Sequence, residues 1–166
     1  MYKEKIKKTH LKNIFLLFSS LFIGVLSMSS CQKNELIRSY STYESYKIKA
    51  EEFLKKYDGI YTIYVYSEMC PPCIDLKEDL FNKLDKSPKD FYIYDVTYFS
   101  DTDKGKFKLR DDSKTYEEMK EEMLNKNNIK DIYILETPSL YIISETGQLK
   151  DVIFDFSTIK NTLISH

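Results

Sequence analysis

The chain has 166 residues, of which 42% are hydrophobic and 31% charged, enough for one cored domain with appendages. Five of its 25 basic residues and one of its 26 acidic residues precede the apolar run that begins at Ile14, leaving 20 and 25 from Cys31 onward, a net of −5. An acidic chain argues against nucleic acid as the main partner, since phosphate binding needs a basic face, and the two histidines, His10 in the leader and His166 at the last position, argue against a Cys-His nucleophile or a Cys/His zinc site, either of which needs an imidazole held in a formed site.

Residues 1–31 read as a targeting segment, with a Lys-rich start, an apolar run over 14–28, then Ser29 and Ser30 before Cys31. The run is short for a membrane span, which takes about 20 apolar residues, so a removed signal peptide is expected. The join resembles a bacterial lipoprotein lipobox, in which small residues precede a cysteine that is lipidated and becomes the mature N-terminus. Met28 stands where that pattern usually has Leu. The resemblance implies lipidation of Cys31 and a domain held on the extracytoplasmic face of a bacterial membrane; the alternative is an uncleaved signal anchor with Cys31 unmodified. Cysteine parity agrees, because Cys70 and Cys73 can pair with each other and leave Cys31 for a separate fate. Residues 32–42 are polar and suit a spacer, with Leu36 and Ile37 offering an optional fifth, edge strand.

Tyr46, Ala50, Phe53, Leu54 and Tyr57 recur at i, i+4, i+7, i+8 and i+11, which predicts a helix with one apolar face, capped by Thr42 or Ser45 and stopped at Asp58-Gly59. The nearly unbroken β-branched and aromatic run at 60–66 predicts a strand covered on both faces. At its C-terminal end, where open α/β sheets place their active sites, lies Ser67-Glu68-Met69-Cys70-Pro71-Pro72-Cys73. Cys73, Leu76, Leu80 and Leu84 follow at i, i+3, i+7 and i+11. That stripe predicts a helix from about Pro71, with Cys73 on the packed face and Cys70 open to solvent. A strand is expected at 91–97, then a polar stretch at 100–113, read as a solvated excursion with a substrate-contacting loop as the alternative. Tyr116, Met119, Met123 and Leu124 predict a helix ending near Asn127-Asn128, its methionines in the core. Strands at 139–144 and 149–156 flank a turn at Glu145-Thr146-Gly147, and Ser157 or Thr158 caps a closing helix through Ile159, Leu163 and Ile164. The 14 Tyr and ten Phe fall at strand and helix spacings, which makes them packing residues rather than base-stacking platforms.

A Cys-x-x-Cys at a strand-to-helix junction puts two sulfurs within bonding reach. The first sits where unpaired N–H groups and the positive end of the helix dipole favour the thiolate, the form that attacks disulfides. The same pair could serve as half a metal site or as a static cross-link. A closed zinc site needs four ligands, and there is neither a second cysteine pair nor a usable histidine. Pro71 and Pro72 fit the first helical positions, where an N–H would stay unpaired.

The order strand, Cys-x-x-Cys helix, strand, helix, then Thr137-Pro138 before a hairpin and last helix resembles the thioredoxin superfamily over 43–164. Cys70-Pro71-Pro72-Cys73 and Thr137-Pro138 carry the resemblance. It implies an α/β, three-layer fold with a central mixed sheet of four strands, or five with the edge strand, flanked by helices, occupying 43–166 with an insertion around 100–128. It also implies a membrane-tethered thiol–disulfide oxidoreductase of the kind that includes bacteriocin-transport accessory proteins. Cys70 would be the nucleophile and Cys73 the resolving thiol; Pro138, expected cis, Thr137 and Met69 would contact substrate. No cofactor or metal is expected. Implied partners are cysteine-containing exported proteins or peptides and a membrane redox partner, with a non-catalytic adaptor or chaperone as the competing reading. Two positions depart from the family: Met69 replaces the usual tryptophan, and Tyr64 falls where many members carry a buried acid. Glu68 or Asp95 is the remaining candidate to assist deprotonation of Cys73.

Overall fold

The computed structural model describes residues 38–86, 89–99 and 101–165. The leader, Cys31 and the optional edge strand at Leu36-Ile37 lie outside the described residues. Four strands, β1 (Tyr61–Tyr66), β2 (Phe91–Asp95), β3 (Ser139–Ile143) and β4 (Leu149–Ile153), form one sheet in the order β2-β1-β3-β4. β1 runs parallel to β2 and antiparallel to β3, which is antiparallel to β4, so the sheet is mixed.

β1 is central, and alternation along it feeds two cores. Tyr61, Ile63 and Val65 join one cluster with Phe53, Tyr94, Tyr141 and Val152. Tyr64 and Tyr66 join the other with Leu76, Leu80, Leu84, Ile93 and Leu140. Burial on both faces is why the run reads as continuous rather than alternating. The α-helices among the described residues are α1 (Pro71–Asp75), α2 (Lys77–Lys86), α3 (Asp101–Lys104), α4 (Tyr116–Met123) and α5 (Phe156–Ile164). Ile159 and Leu163 of α5 join Leu80 and Leu84 of α2 on one face, while Met119 and Met123 of α4 pack on the other. Each such buried side chain contributes about 1.5–3 kcal/mol of apolar transfer energy. Among the described residues no helix is long and apolar enough to cross a membrane.

The first helix expected from the sequence does not form. Its place is taken by two 3-10 segments, Tyr40–Tyr46 and Ala50–Glu52, separated by extended backbone at Lys47, where the Ile48 N–H donates to the Ile93 carbonyl at 3.0 Å. The chain crosses the β2 edge of the sheet here. Tyr40 and Tyr43 pack in one cluster, Ile48, Ala50 and Phe53 in the other. One helical stripe cannot serve both faces of a sheet, so the apparent helical period mixes two shorter surfaces. Neither Thr42 nor Ser45 precedes a helix; Ser39 precedes the first segment.

Part of the expected spacer is folded as well. Arg38 contacts Glu78 and reaches Asp85 at 3.1 Å, and Tyr40 stacks on Tyr66 with centroids 4.1 Å apart, so the folded unit begins by Arg38 rather than at residue 43. Smaller differences follow from local geometry. The helix expected from Pro71 is interrupted at Leu76, and the strand after it ends at Asp95 rather than 97. α4 stops at Met123, where Asn125 takes a positive φ of 61°. β4 ends at Ile153 because Asp155, not Ser157 or Thr158, caps α5 by accepting the Thr158 N–H at 2.8 Å. The polar stretch after β2 is pinned at Phe107 and Lys108. Phe107 is buried against Phe53, Tyr94 and Phe99, and the Lys108 N–H donates to the Ile132 carbonyl at 2.8 Å.

Candidate active site

The site stands at the C-terminal end of β1, where the strand turns into α1. Cys70 precedes α1 in extended conformation, and Pro71 and Pro72 follow at its first two positions. Because prolines carry no N–H, Cys73 supplies the only backbone donor among the first three helical residues. Cys70 is partly exposed and Cys73 fully buried, and both are free thiols. The difference follows from position: Cys70 caps the helix, whereas Cys73 begins the stripe that continues through Leu76 and Leu80 into the core.

Pro138 lies opposite. The Thr137–Pro138 peptide bond is cis, Pro138 is buried, and the Cys70 thiol donates to the Thr137 carbonyl at 3.1 Å. The loop after β2 forms a third side, fastened by the Glu68 N–H donating to the Thr97 Oγ1 at 2.7 Å and the Val96 N–H to the Tyr66 carbonyl at 2.9 Å. Exposed apolar side chains stand on these segments: Met69 before Cys70, Ile74 in α1 and Tyr98 after β2. The structure thus brings Cys70, Cys73, Thr137, Pro138 and Met69 into one neighbourhood. Cys31 lies outside the described residues.

Beneath the pair sits a layer of tyrosines. Tyr40, Tyr64 and Tyr66 share the Cys73 cluster, with Tyr64 and Tyr66 rings at 6.2 Å. The Tyr66 hydroxyl donates to Asp95 Oδ2 at 3.2 Å, and Asp95 also accepts the Thr97 N–H at 2.8 Å and pairs with Lys47 at 3.8 Å. Asp95 is therefore committed to Tyr66, Thr97 and Lys47, while Glu68 is exposed; neither carboxylate is bonded to Cys73. Burial, then contact with Cys70, pushes the Cys73 thiol up. The Tyr40 and Tyr64 hydroxyls are buried without a hydrogen-bond partner. Sequence reasoning singled out Tyr64 only as the residue in place of an acid, and it left Tyr40 in the spacer. The signal that could have found Tyr40 is an aromatic in an otherwise polar stretch.

The mixed strand order β2-β1-β3-β4, helices on both faces, a cysteine pair closing β1 and a cis proline opening β3 together define the architecture. The fold is thioredoxin-like. Among solved structures the chain is similar to mitochondrial thioredoxin 3 from Saccharomyces cerevisiae in its oxidised form, at 18% identity over 70% of this chain and 91% of that one, with a TM-score of 0.42. It is also similar to thioredoxin from Malassezia sympodialis (13% identity, 70% and 86% covered, TM-score 0.41) and to oxidised thioredoxin from Plasmodium falciparum (14%, 75% and 89%, 0.39). No protein-family model matches the chain, and no curated protein matches its sequence. The chemistry therefore rests on the site itself. A half-exposed thiol lies against a carbonyl wall with a second thiol beneath it, an arrangement suited to exchange between a dithiol and an external disulfide.

Proposed function

We propose that this protein is a membrane-anchored, extracytoplasmic thiol–disulfide oxidoreductase acting on exported proteins or peptides through Cys70 and Cys73. The observation that carries the reading is the asymmetry of the pair. Cys70 is reachable from solvent and held against the Thr137 carbonyl, whereas Cys73 is fully buried. In the reducing direction Cys70 as thiolate attacks one sulfur of a substrate disulfide, forming Cys70–S–S–R and releasing the other sulfur as a thiolate that takes up a proton. Cys73 then attacks the Cys70 sulfur, its own proton passing to the departing thiolate, and the substrate leaves as a thiol. Two electrons have moved from the pair to the substrate, and the reverse sequence donates a disulfide. A dithiol or disulfide partner at the membrane would reset the pair.

Met69, Ile74 and Tyr98, exposed around Cys70, favour apolar or unfolded peptide segments as substrates. The net of −5 from Cys31 onward favours the same partners over nucleic acid. The leader and Cys31 are the basis for the tether, and metabolic labelling with a fatty acid, lost in Cys31→Ser, tests it. The enzymatic reading is tested by insulin disulfide turnover for the native chain, Cys70→Ser and Cys73→Ser. Turnover is expected from the native chain alone, with Cys73→Ser trapping a mixed disulfide at Cys70. Equal rates for all three in both redox directions would remove the enzyme and leave a non-catalytic adaptor.

A further inference from the structure

Two buried hydroxyls in the tyrosine layer have no hydrogen-bond partner, those of Tyr40 and Tyr64. A buried hydroxyl without a partner is costly, and the great majority of such groups in native proteins are bonded. Both belong to the Cys73 cluster, against which Cys70 also packs, and Tyr64 is fully buried on β1. After burial, the groups whose charge acts on the Tyr64 phenol are Cys73, Tyr40 and Cys70, and those acting on Tyr40 are Cys73, Glu68, Asp95 and Cys70. In the dithiol the Tyr64 hydroxyl approaches the Cys73 sulfur without forming a well-aligned hydrogen bond to it, and the Tyr40 hydroxyl has no bonded partner. A neutral thiol is a weak acceptor, whereas a thiolate is a strong one.

We propose that Tyr64, supported by Tyr40, is a positioning residue for the second step of exchange, donating its hydroxyl proton in a hydrogen bond to the Cys73 sulfur as negative charge develops there. The proposal rests on the exchange reading above. No proton leaves the phenol. Burial, with Cys73 next, raises the Tyr64 phenol far above its usual range, so it stays protonated and acts as a donor rather than a base. In the step itself an electron pair on the Cys73 sulfur forms the Cys73–Cys70 bond. The Cys70–substrate bond breaks with its pair on the substrate sulfur, and the Cys73 proton finishes on that departing thiolate. The carboxylates remain with their own partners: Asp95 holds Tyr66, Thr97 and Lys47, and Glu68 stays exposed. The hydroxyl that is unsatisfied in the resting dithiol thus acquires its partner in the state that must react, so the donor binds that state better than the ground state.

The test is stopped-flow reaction of the full chain carrying Cys31→Ser, reduced, with 5,5′-dithiobis(2-nitrobenzoate), between pH 6 and 9. Attack by Cys70 releases one thionitrobenzoate, and attack by Cys73 on the resulting mixed disulfide releases a second. Tyr64→Phe should leave the first phase unchanged and slow the second about tenfold, the size expected for one hydrogen bond to a charged group. The pH dependence of the second phase should also shift upward. Tyr40→Phe should give a smaller shift in the same direction, and Tyr66→Phe, whose hydroxyl serves Asp95, none. An unchanged second phase in Tyr64→Phe overturns the proposal, and so does equal slowing of both phases or an equal effect from Tyr66→Phe. The small reagent reports on the two cysteines whether or not insulin is turned over, so failure of the proposal is distinguishable from failure of the oxidoreductase reading.

Discussion

Removing the Tyr64 hydroxyl should make the protein more stable. The group is fully buried and forms no well-aligned hydrogen bond, so folding strips it of water and returns at most a weak approach to the Cys73 thiol. Desolvating an unpaired hydroxyl costs about 1–3 kcal/mol. Tyr64→Phe deletes that oxygen and keeps the ring against Tyr66, 6.2 Å away, and the rest of the Cys73 cluster. A small void opposes the gain, which leaves a net stabilisation of about 1 kcal/mol. For a domain of this size that corresponds to a rise of about 3–6 °C in Tm. The measurement is thermal and urea unfolding of the reduced protein, so that no disulfide contributes, with an increased midpoint and an unchanged m-value. A lower Tm in Tyr64→Phe would mean that the hydroxyl is bonded in the resting protein, and the argument from an unpaired donor would fall. A stabilised variant that resolves mixed disulfides more slowly is the signature of a group kept for reactivity at the expense of stability.

Gly147→Ala should destabilise the domain by more than about 1 kcal/mol, because Gly147 has a φ of +78° and an added Cβ would lie 2.5 Å from the Leu54 carbonyl oxygen; urea unfolding measures it. Phe53→Ala should cost about 3–5 kcal/mol, since Phe53 is fully buried between the rings of Tyr94, Phe107 and Tyr141, and a loss below 1 kcal/mol would mean that the segment crossing the sheet edge is not packed as described. Glu122 accepts from Lys114, from Tyr133 at 2.8 Å and from Lys108 at 3.1 Å, and these partners, Lys114 first, lower its pKa from the ordinary 4.5 to about 2. Because the folded value lies below the unfolded one, this contribution to stability is complete above about pH 4.5 and is lost as pH falls toward 2. The Tm difference between the native chain and Glu122→Gln should therefore shrink over that interval, and a difference that stays constant with pH would refute the assignment.

How much of this was legible in the sequence depends on whether local pattern and tertiary demand coincide. They coincide at β1, where an apolar run bounded by turn residues is what a central strand needs, and on the stripe from Cys73 to Leu84, whose 3.6-residue period buries one thiol and leaves the other near solvent. They part at 46–57. The apolar residues there recur at helical spacing, but Tyr46 serves one face of the sheet and Ala50, Phe53, Leu54 and Tyr57 the other, with an Ile48–Ile93 backbone bond between. Periodicity records which residues are buried and is silent about which surface buries them. Tyr40 was missed for the same reason, since a lone aromatic in a polar stretch has no period at all.

The chain by itself determined the strand-to-helix placement of Cys70-Pro71-Pro72-Cys73, the order of the four strands along the sequence and the shortage of imidazole, because each is a property of neighbouring residues or of composition. Only the tertiary structure decided what surrounds the pair. The Thr137 carbonyl reaches Cys70 across 67 residues of sequence, Tyr40 and Tyr64 join the Cys73 cluster from separate segments, and Asp95 is held by Tyr66, Thr97 and Lys47. Contacts of that kind exist only once the sheet is assembled, since it is sheet pairing and two-sided burial, rather than any local preference, that bring those atoms together.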